Sequence, residues 1–295
     1  LKQYPQAETL FKEITNESLE KGSFDVLLLG KAILNFESKR FLEAKNNYSD
    51  LMGMTEDPVV MVQAGLGKAD ALYNLGEYAQ AKGLYQRMLS RDDIAAIPNE
   101  IIDKLHYGLA WTYFKEGEFK EAIKEFQKIV KFSEDRIVKT SALCQIGDAY
   151  QDAGEFDKAQ ETYDSILRDY PDSLYSDYVQ YQLGLTALRG SRYDGAILSF
   201  LSLMKNFPES KLLDDASYAL GLAYFQKQDY RASKEVFEKF QTEFKESQLQ
   251  SQAVYLLGTS LYNVGQYQEA IEVFKNILRS YGQDSELCQK AEYEI

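Results

Sequence analysis

The stretch GDAYQDAGEFDKAQETYDSILRDYP, residues 147–171, falls into two helical halves on either side of a glycine. Gly147 is a small residue within the first half, and Gly154 interrupts the pattern. Phe156, Ala159 and Tyr163 follow at spacings of three and four, which puts them on one face of a second helix. Pro171 closes the unit, because proline cannot continue a helix. The stretch spells helix, tight turn, helix, stop.

Its second-helix signature, aromatic–Ala–aromatic, recurs along the whole chain. It appears as Tyr4-Ala7-Phe11, Phe41-Ala44-Tyr48, Tyr78-Ala81-Tyr85 and Phe119-Ala122-Phe126 in the first half. Phe156-Ala159-Tyr163, Tyr193-Ala196-Phe200, Tyr230-Ser233-Phe237 and Tyr267-Ala270-Phe274 continue it. Successive copies lie about 37 residues apart, with one spacing of about 41, inside the range of repeat arrays. Two helices of a hairpin touch only where one presents a small side chain, and the flanking aromatics fill the space around that contact. One hairpin cannot bury such faces alone, so neighbours stack.

These residues resemble the tetratricopeptide repeat family over essentially the whole chain. The match rests on the triplets and on the small first-helix residues Ala32, Ala69, Ala110, Gly147, Gly184, Gly221 and Gly258. The turn glycines Gly76, Gly117, Gly154 and Gly265 and the closing prolines Pro171 and Pro208 also fit. The resemblance implies an all-α, right-handed superhelical solenoid with seven full repeats over 25–282. A second helix of a truncated repeat at 1–22 and a first helix at 283–295 complete a single domain over 1–295, sixteen helices in all. The first repeat is irregular, with Lys39 where a turn glycine is expected. The link SRDDIAAIPNEII is about four residues longer than its counterparts, roughly one helical turn, and Pro98 opens the next helix. Serines at the later junctions are expected to cap the following helices.

Starting and ending within a repeat, the chain has the pattern of a piece of a longer array. End-to-end self-association through an apolar face of Leu287, Ala291 and Ile295 is the alternative. The 45% hydrophobic content is that of a folded protein, and no run approaches the ~18 apolar residues of a membrane span. A net charge of −13 argues against nucleic acid, which needs a basic stripe, and is read chiefly as solubility. Cys144 and Cys288 lie four repeats apart and are expected as free thiols.

Catalytic constellations are missing from the sequence. His106 is the only histidine, no CxxC occurs, and Gly65-x-Gly67 lacks the rest of a nucleotide-binding loop. The two glycines are read as easing helix packing. No enzyme activity, metal or cofactor is expected.

In the family that the chain resembles, first helices line the concave surface where ligands bind. Residues three before, one after and four after each small anchor then line the groove. The recognition candidates are Tyr73, Trp111, Phe114, Tyr178, Tyr181, Tyr218, Phe225, Tyr255 and Tyr262, with Asp70, Tyr107, Cys144, Asp148, Gln151 and Leu188 beside them. The alternative for each aromatic is packing on its second helix; the cluster around Tyr181 and Tyr218 is favoured for binding. Tyr, Leu and Asp occupy the places where carboxylate-clamp members carry Lys, Asn and Arg, which excludes that subtype. The expected function is a non-catalytic scaffold that binds a protein or peptide partner. The junctions YPDS and FPES resemble those of bacterial cell-envelope members, outer-membrane assembly lipoproteins and the Tol–Pal-associated coordinator, which points to the periplasm. A glycan-binding or polysaccharide-export scaffold, or a regulatory arm of a larger enzyme, are the other readings.

Overall fold

The computed structural model describes residues 21–280 and 286–294. The helix expected at 1–22 therefore falls almost wholly outside the described residues. Among the described residues there are fifteen α-helices and one 3-10 turn. They pair as hairpins: α1 (Lys21–Glu37) with α2 (Phe41–Met54), α3 (Pro58–Asn74) with α4 (Tyr78–Leu89), and α5 (Asn99–Lys115) with α6 (Phe119–Phe132). Next come α7 (Arg136–Asp152) with α8 (Phe156–Asp169), α9 (Ser176–Arg189) with α10 (Tyr193–Asn206), and α11 (Leu213–Gln226) with α12 (Tyr230–Glu243). The hairpin of α13 (Gln250–Asn263) and α14 (Tyr267–Ser280) precedes the last helix, α15 (Glu286–Tyr293).

Each hairpin turn passes through the left-handed region. Gly76, Gly117, Gly154 and Gly265 do so with φ between 74° and 83°. Lys39, Ser191 and Gln228 do so with φ of 61°, 57° and 67°, although a side chain there is disfavoured. The turns hold because their hydrogen bonds are complete: Glu77 N–H donates to the Leu72 carbonyl and Asp229 N–H to the Tyr224 carbonyl, both at 2.9 Å. This six-to-one bond closes a helix that ends on a left-handed residue. The long link contains the 3-10 turn Ile94–Ala96, and Pro98 stands at the cap of α5, so the extra turn is a tight one.

Ser210 and Ser247 do not stand at the cap positions of the helices that follow them. Ser210 and Ser247 accept from the N–H groups two residues on, those of Leu212 and Leu249, both at 3.2 Å. Their hydroxyl protons go to Asp177 and Asp214 of the preceding first helix, at 2.6 and 2.7 Å. Each serine thus ties one hairpin to the next, and the cap positions fall to Leu212 and Leu249.

The chain divides into two compact units, Leu1–Ala149 and Tyr150–Ile295, with the division inside α7. Unit 1 has a core built on Tyr48, Leu51, Tyr85, Met88 and Leu105. In unit 2 the core runs through Phe200, Leu203, Phe237, Phe240, Phe274 and Ile277. Ala291, expected on an exposed apolar face, is fully buried with Cys288 in the last of these clusters, because α15 packs on α14. Leu287 and Ile295 lie outside the side chains described.

Candidate functional site

The first helices α1, α3 and α5 enclose, with Tyr85 of α4, an open pocket of about 310 Å³ within unit 1. Its floor is set by two residues that the repeat pattern brings together. Tyr85 is the third residue of its aromatic triplet and is 1% exposed, so its hydroxyl must find a partner inside the protein. That partner is Asp70, one position after the small anchor of α3: Tyr85 Oη donates to Asp70 Oδ1 at 2.5 Å. Gly108 of α5 makes the arrangement possible. A Cβ on Gly108 would stand 2.5 Å from Cζ of the Tyr85 ring, so only glycine lets the ring lie against α5. Gly67 serves Tyr48 in the same way, with the ring 2.3 Å from where a Cβ would be. Gly65 makes room for Met88, so the Gly65-x-Gly67 pair is a packing device, as its place inside a helix suggested.

Burial pushes the Asp70 carboxyl up to about 6, while the Tyr85 hydrogen bond and the Lys104 charge pull it back. The same burial, reinforced by Asp70, drives the Tyr85 and Tyr48 phenols far upward. Phe36, Tyr73, Tyr107 and Trp111 form the pocket's walls, and Lys104 stands at its edge. Lys104 is largely exposed and its ammonium bonds Glu100 at 2.5 Å. The product is one costly buried carboxylate inside an aromatic enclosure.

Two of the candidates, Tyr73 and Trp111, line this pocket. The others sit against their own hairpins. Phe114, Phe225 and Tyr262 meet the first aromatic of the adjoining triplet, Phe119, Tyr230 and Tyr267, at 5.3 Å in edge contacts, as Tyr73 meets Tyr78. Tyr181, Tyr218 and Tyr255 lean on the third aromatic, Phe200, Phe237 and Phe274, at 6.0, 5.9 and 5.8 Å. Trp111 touches both Phe114 and Phe126. Tyr178 accepts a hydrogen bond from Gln182 at 2.7 Å. All but Tyr262 are only partly exposed.

Three neighbours expected in the groove are instead buried. Cys144 is 1% exposed, and Leu188 lies in the core of unit 2. Gln151 is enclosed by bonds to Thr186 at 2.7 Å and from Arg189 at 3.1 Å. Helical spacing puts Gln151 and Leu188 on the side of the helix that the pattern predicts, but neighbouring side chains of unit 2 enclose them. Asp70 and Tyr107 were named in the sequence; Tyr85, Gly108 and Lys104 were not. Their signal was a tyrosine closing one triplet where the following first helix carries glycine two places before its anchor.

A family model for tetratricopeptide repeats matches residues 66–136 and 144–211, and a model described as an outer membrane lipoprotein, YfiO, matches 181–295. The repeats are tetratricopeptide repeats. Solved structures of such proteins share the fold. A tetratricopeptide repeat protein from Parabacteroides merdae superposes with TM-score 0.60 at 16% identity, over 92% of this chain and 98% of that one. The C-terminal part of a repeat protein from Cytophaga hutchinsonii gives 0.71 at 17% identity, over 90% and 99%. MamA from Desulfovibrio magneticus RS-1 gives 0.51 at 21% identity, over 62% and 97%. At these identities the likeness concerns the fold alone. No curated protein matches the chain in sequence.

Tetratricopeptide repeat arrays are generally non-catalytic, and the family matches indicate a protein–protein interaction scaffold. The remaining reactive side chains have structural surroundings. His106 Nδ1 meets Glu125 Oε2 at 2.7 Å, and Lys128 bonds the other oxygen of Glu125 at 2.8 Å. Burial acts to raise the Glu125 carboxyl, but these two partners outweigh it and hold it below its usual range. Cys144 and Cys288 are buried and form no disulfide, and burial beside Asp148 pushes the Cys144 thiol up to about 12, which makes it a poor nucleophile. Among the described residues no group of three or more His, Cys, Asp or Glu could hold a metal, and no helix is long and apolar enough to cross a membrane.

Proposed function

We propose that this chain is a non-catalytic scaffold that holds an extended peptide or a partner helix on the faces of its first helices, in the assembly of a bacterial envelope. The observation that carries the reading is the pocket among α1, α3 and α5, where Tyr73, Tyr107 and Trp111 leave a partly exposed aromatic surface around a buried carboxylate. Large aromatic side chains in a preformed concavity supply most of the energy in protein recognition. Phe114 in unit 1 offers its exposed edge as a flanking contact, and Tyr178, Tyr181, Tyr218, Phe225, Tyr255 and Tyr262 give unit 2 a first-helix aromatic surface of its own. The envelope part of the reading is supported by the outer-membrane lipoprotein model over 181–295.

A cross-linked pull-down from the source organism tests it. The wild type is run beside Tyr73→Ala/Trp111→Ala and beside Leu198→Ala/Leu201→Ala, which alters two exposed leucines of α10. The expected result is an envelope protein retained by the wild type and the leucine variant, and lost by a pocket variant that still folds. Retention by the pocket variant with loss in the leucine variant would move the binding surface to α10 and overturn the reading.

A further inference from the structure

We propose that the unit 1 pocket is a receptor for a lysine side chain, whose ammonium bonds Asp70 and whose methylene stem lies between Tyr73, Tyr107 and Trp111. The inference rests on the scaffold reading and names the chemistry of the segment that docks there. Four observations converge on it. Asp70 is a carboxylate held where burial disfavours its charge, and among the described residues the one side-chain hydrogen bond its carboxylate receives comes from Tyr85 to Oδ1. Oδ2 is thus the oxygen left for a ligand. A single acceptor oxygen suits the compact ammonium of lysine, whereas the planar fork of arginine needs two. Aromatic faces around a carboxylate attract a cation through their π-electrons and cover an aliphatic stem by apolar contact. Lys104, a lysine lining the pocket, gives its hydrogen bond to Glu100 at 2.5 Å, so it acts on Asp70 only as a nearby charge and leaves the Oδ2 hydrogen bond to a ligand. The pocket's volume of about 310 Å³ exceeds that of one side chain and admits the adjoining backbone as well. Charge complementarity extends beyond the site, because the net charge of −13 draws a basic segment toward this chain.

Trp111 is the only tryptophan in the chain and stands in the pocket wall, so its fluorescence reports occupancy directly. The probes are Nα-acetyl-lysine methylamide, the same compound acetylated on Nε, and the arginine analogue. The lysine probe is expected to give a saturable change in Trp111 emission. The Nε-acetylated probe should give none, and the arginine probe should bind at least about fivefold more weakly. Asp70→Asn should abolish the lysine response while keeping the Tyr85 hydrogen bond, since the amide oxygen still accepts it. Lys104→Met removes a competing cation and should tighten binding, which tests the site without touching Asp70. Affinity should fall about tenfold between pH 7 and pH 5 as the Asp70 carboxylate takes up a proton. The other charged and titratable groups facing Asp70 are Lys104 and the phenols of Tyr48 and Tyr85, both phenols pushed upward by burial.

Equal binding of the lysine and Nε-acetyl-lysine probes would overturn the proposal, as would full affinity in Asp70→Asn. A partner captured through Tyr73 and Trp111 together with silence from the lysine probe would leave the scaffold reading standing and defeat this inference alone.

Discussion

Tyr85 and Phe237 occupy the same place in their triplets, and both are fully buried against a glycine, but the glycines belong to different helices. Tyr85 of α4 lies on Gly108 of the hairpin that follows, and Tyr48 likewise lies on Gly67. Phe237 of α12 lies on Gly221 of its own hairpin, as Phe200 does on Gly184 and Phe274 on Gly258. In unit 2 the small anchor itself receives the ring, and the position after it is Leu185, Leu222 or Thr259, with no acceptor needed for a phenylalanine. At α4 of unit 1 the ring is shifted toward the next hairpin, carries a hydroxyl, and finds an aspartate one place after the anchor. One repeat pattern therefore supports two arrangements: a seam at α10, α12 and α14 of unit 2 where the ring itself is dry, and a polar seam at α4 of unit 1 that opens a pocket.

The dry seam is the place where stability is most concentrated. Phe237→Ala empties a site with no accessible surface, and is expected to cost about 3–5 kcal/mol in chemical denaturation followed by circular dichroism. Gly221→Ala acts on the same contact from the other side, since its Cβ would stand 2.6 Å from the Phe237 ring, and should cost about 1–3 kcal/mol. If Gly221→Ala were neutral, the ring would have room to retreat and the close seam would not distinguish unit 2.

The polar seam should show itself through pH. The Asp70 carboxyl titrates near 6 in the folded protein against 3.8 as its ordinary value. The folded state thus holds a proton that the unfolded state has released between those values, so the contribution of Asp70 to stability is greatest below about pH 4 and is lost as pH rises through 6. Asp70→Asn removes that loss, and at pH 7 it is expected to be more stable than the wild type by about 2–3 kcal/mol. At pH 4 the two should converge. A wild type and variant that differ equally at both pH values would show that the carboxylate is not strained. Tyr85→Phe probes the same pair with a smaller effect, about 1–2 kcal/mol lost at pH 7, because the buried carboxylate then lacks its only donor. It should also raise the Asp70 titration further, since the hydrogen bond is a lowering influence.

Much of the architecture was legible because the helical period, the small anchors and the triplets are local signals that agree with one another. The site was legible only in part. Counting from the anchor places Tyr181 and Tyr218 beside Tyr107, but the count does not say which ring will fill its own hairpin. Tyr181 and Tyr218 lean on Phe200 and Phe237, and Tyr73, Tyr107 and Trp111 lean likewise on Tyr78 and Phe126, yet only the latter three also line the pocket over Asp70. What separates the cases is a relation between repeats: a terminal tyrosine in one triplet, an acid after the anchor of that hairpin, and a glycine two places before the next anchor. Gln151 failed as a groove residue for a similar reason, since its bonds to Thr186 and Arg189 are to the next hairpin and are not encoded within its own repeat. The junction serines look like caps in isolation, and become ties once Asp177 and Asp214 are beside them.

The smallest expected effect comes from the turns, where the two units differ less. Of the turn residues with positive φ, unit 1 holds Lys39, Gly76 and Gly117, and unit 2 holds Gly154, Gly265 and also Ser191 and Gln228, at φ of 57° and 67°. A left-handed backbone costs a residue with a Cβ about 1–2 kcal/mol, and part of that is offset because glycine loses more freedom on folding. Ser191→Gly and Gln228→Gly are therefore each expected to stabilise unit 2 by about 0.5–1 kcal/mol, read as a shift in the denaturation midpoint. Gly154→Ser, the reverse change at an equivalent turn, should destabilise by a similar amount. If Ser191→Gly instead lost stability, the serine side chain would be making a contact worth more than the backbone strain. The turn would then belong with the polar seam of Asp70 as a place where local strain is retained for an interaction, and the contrast between the two units would narrow.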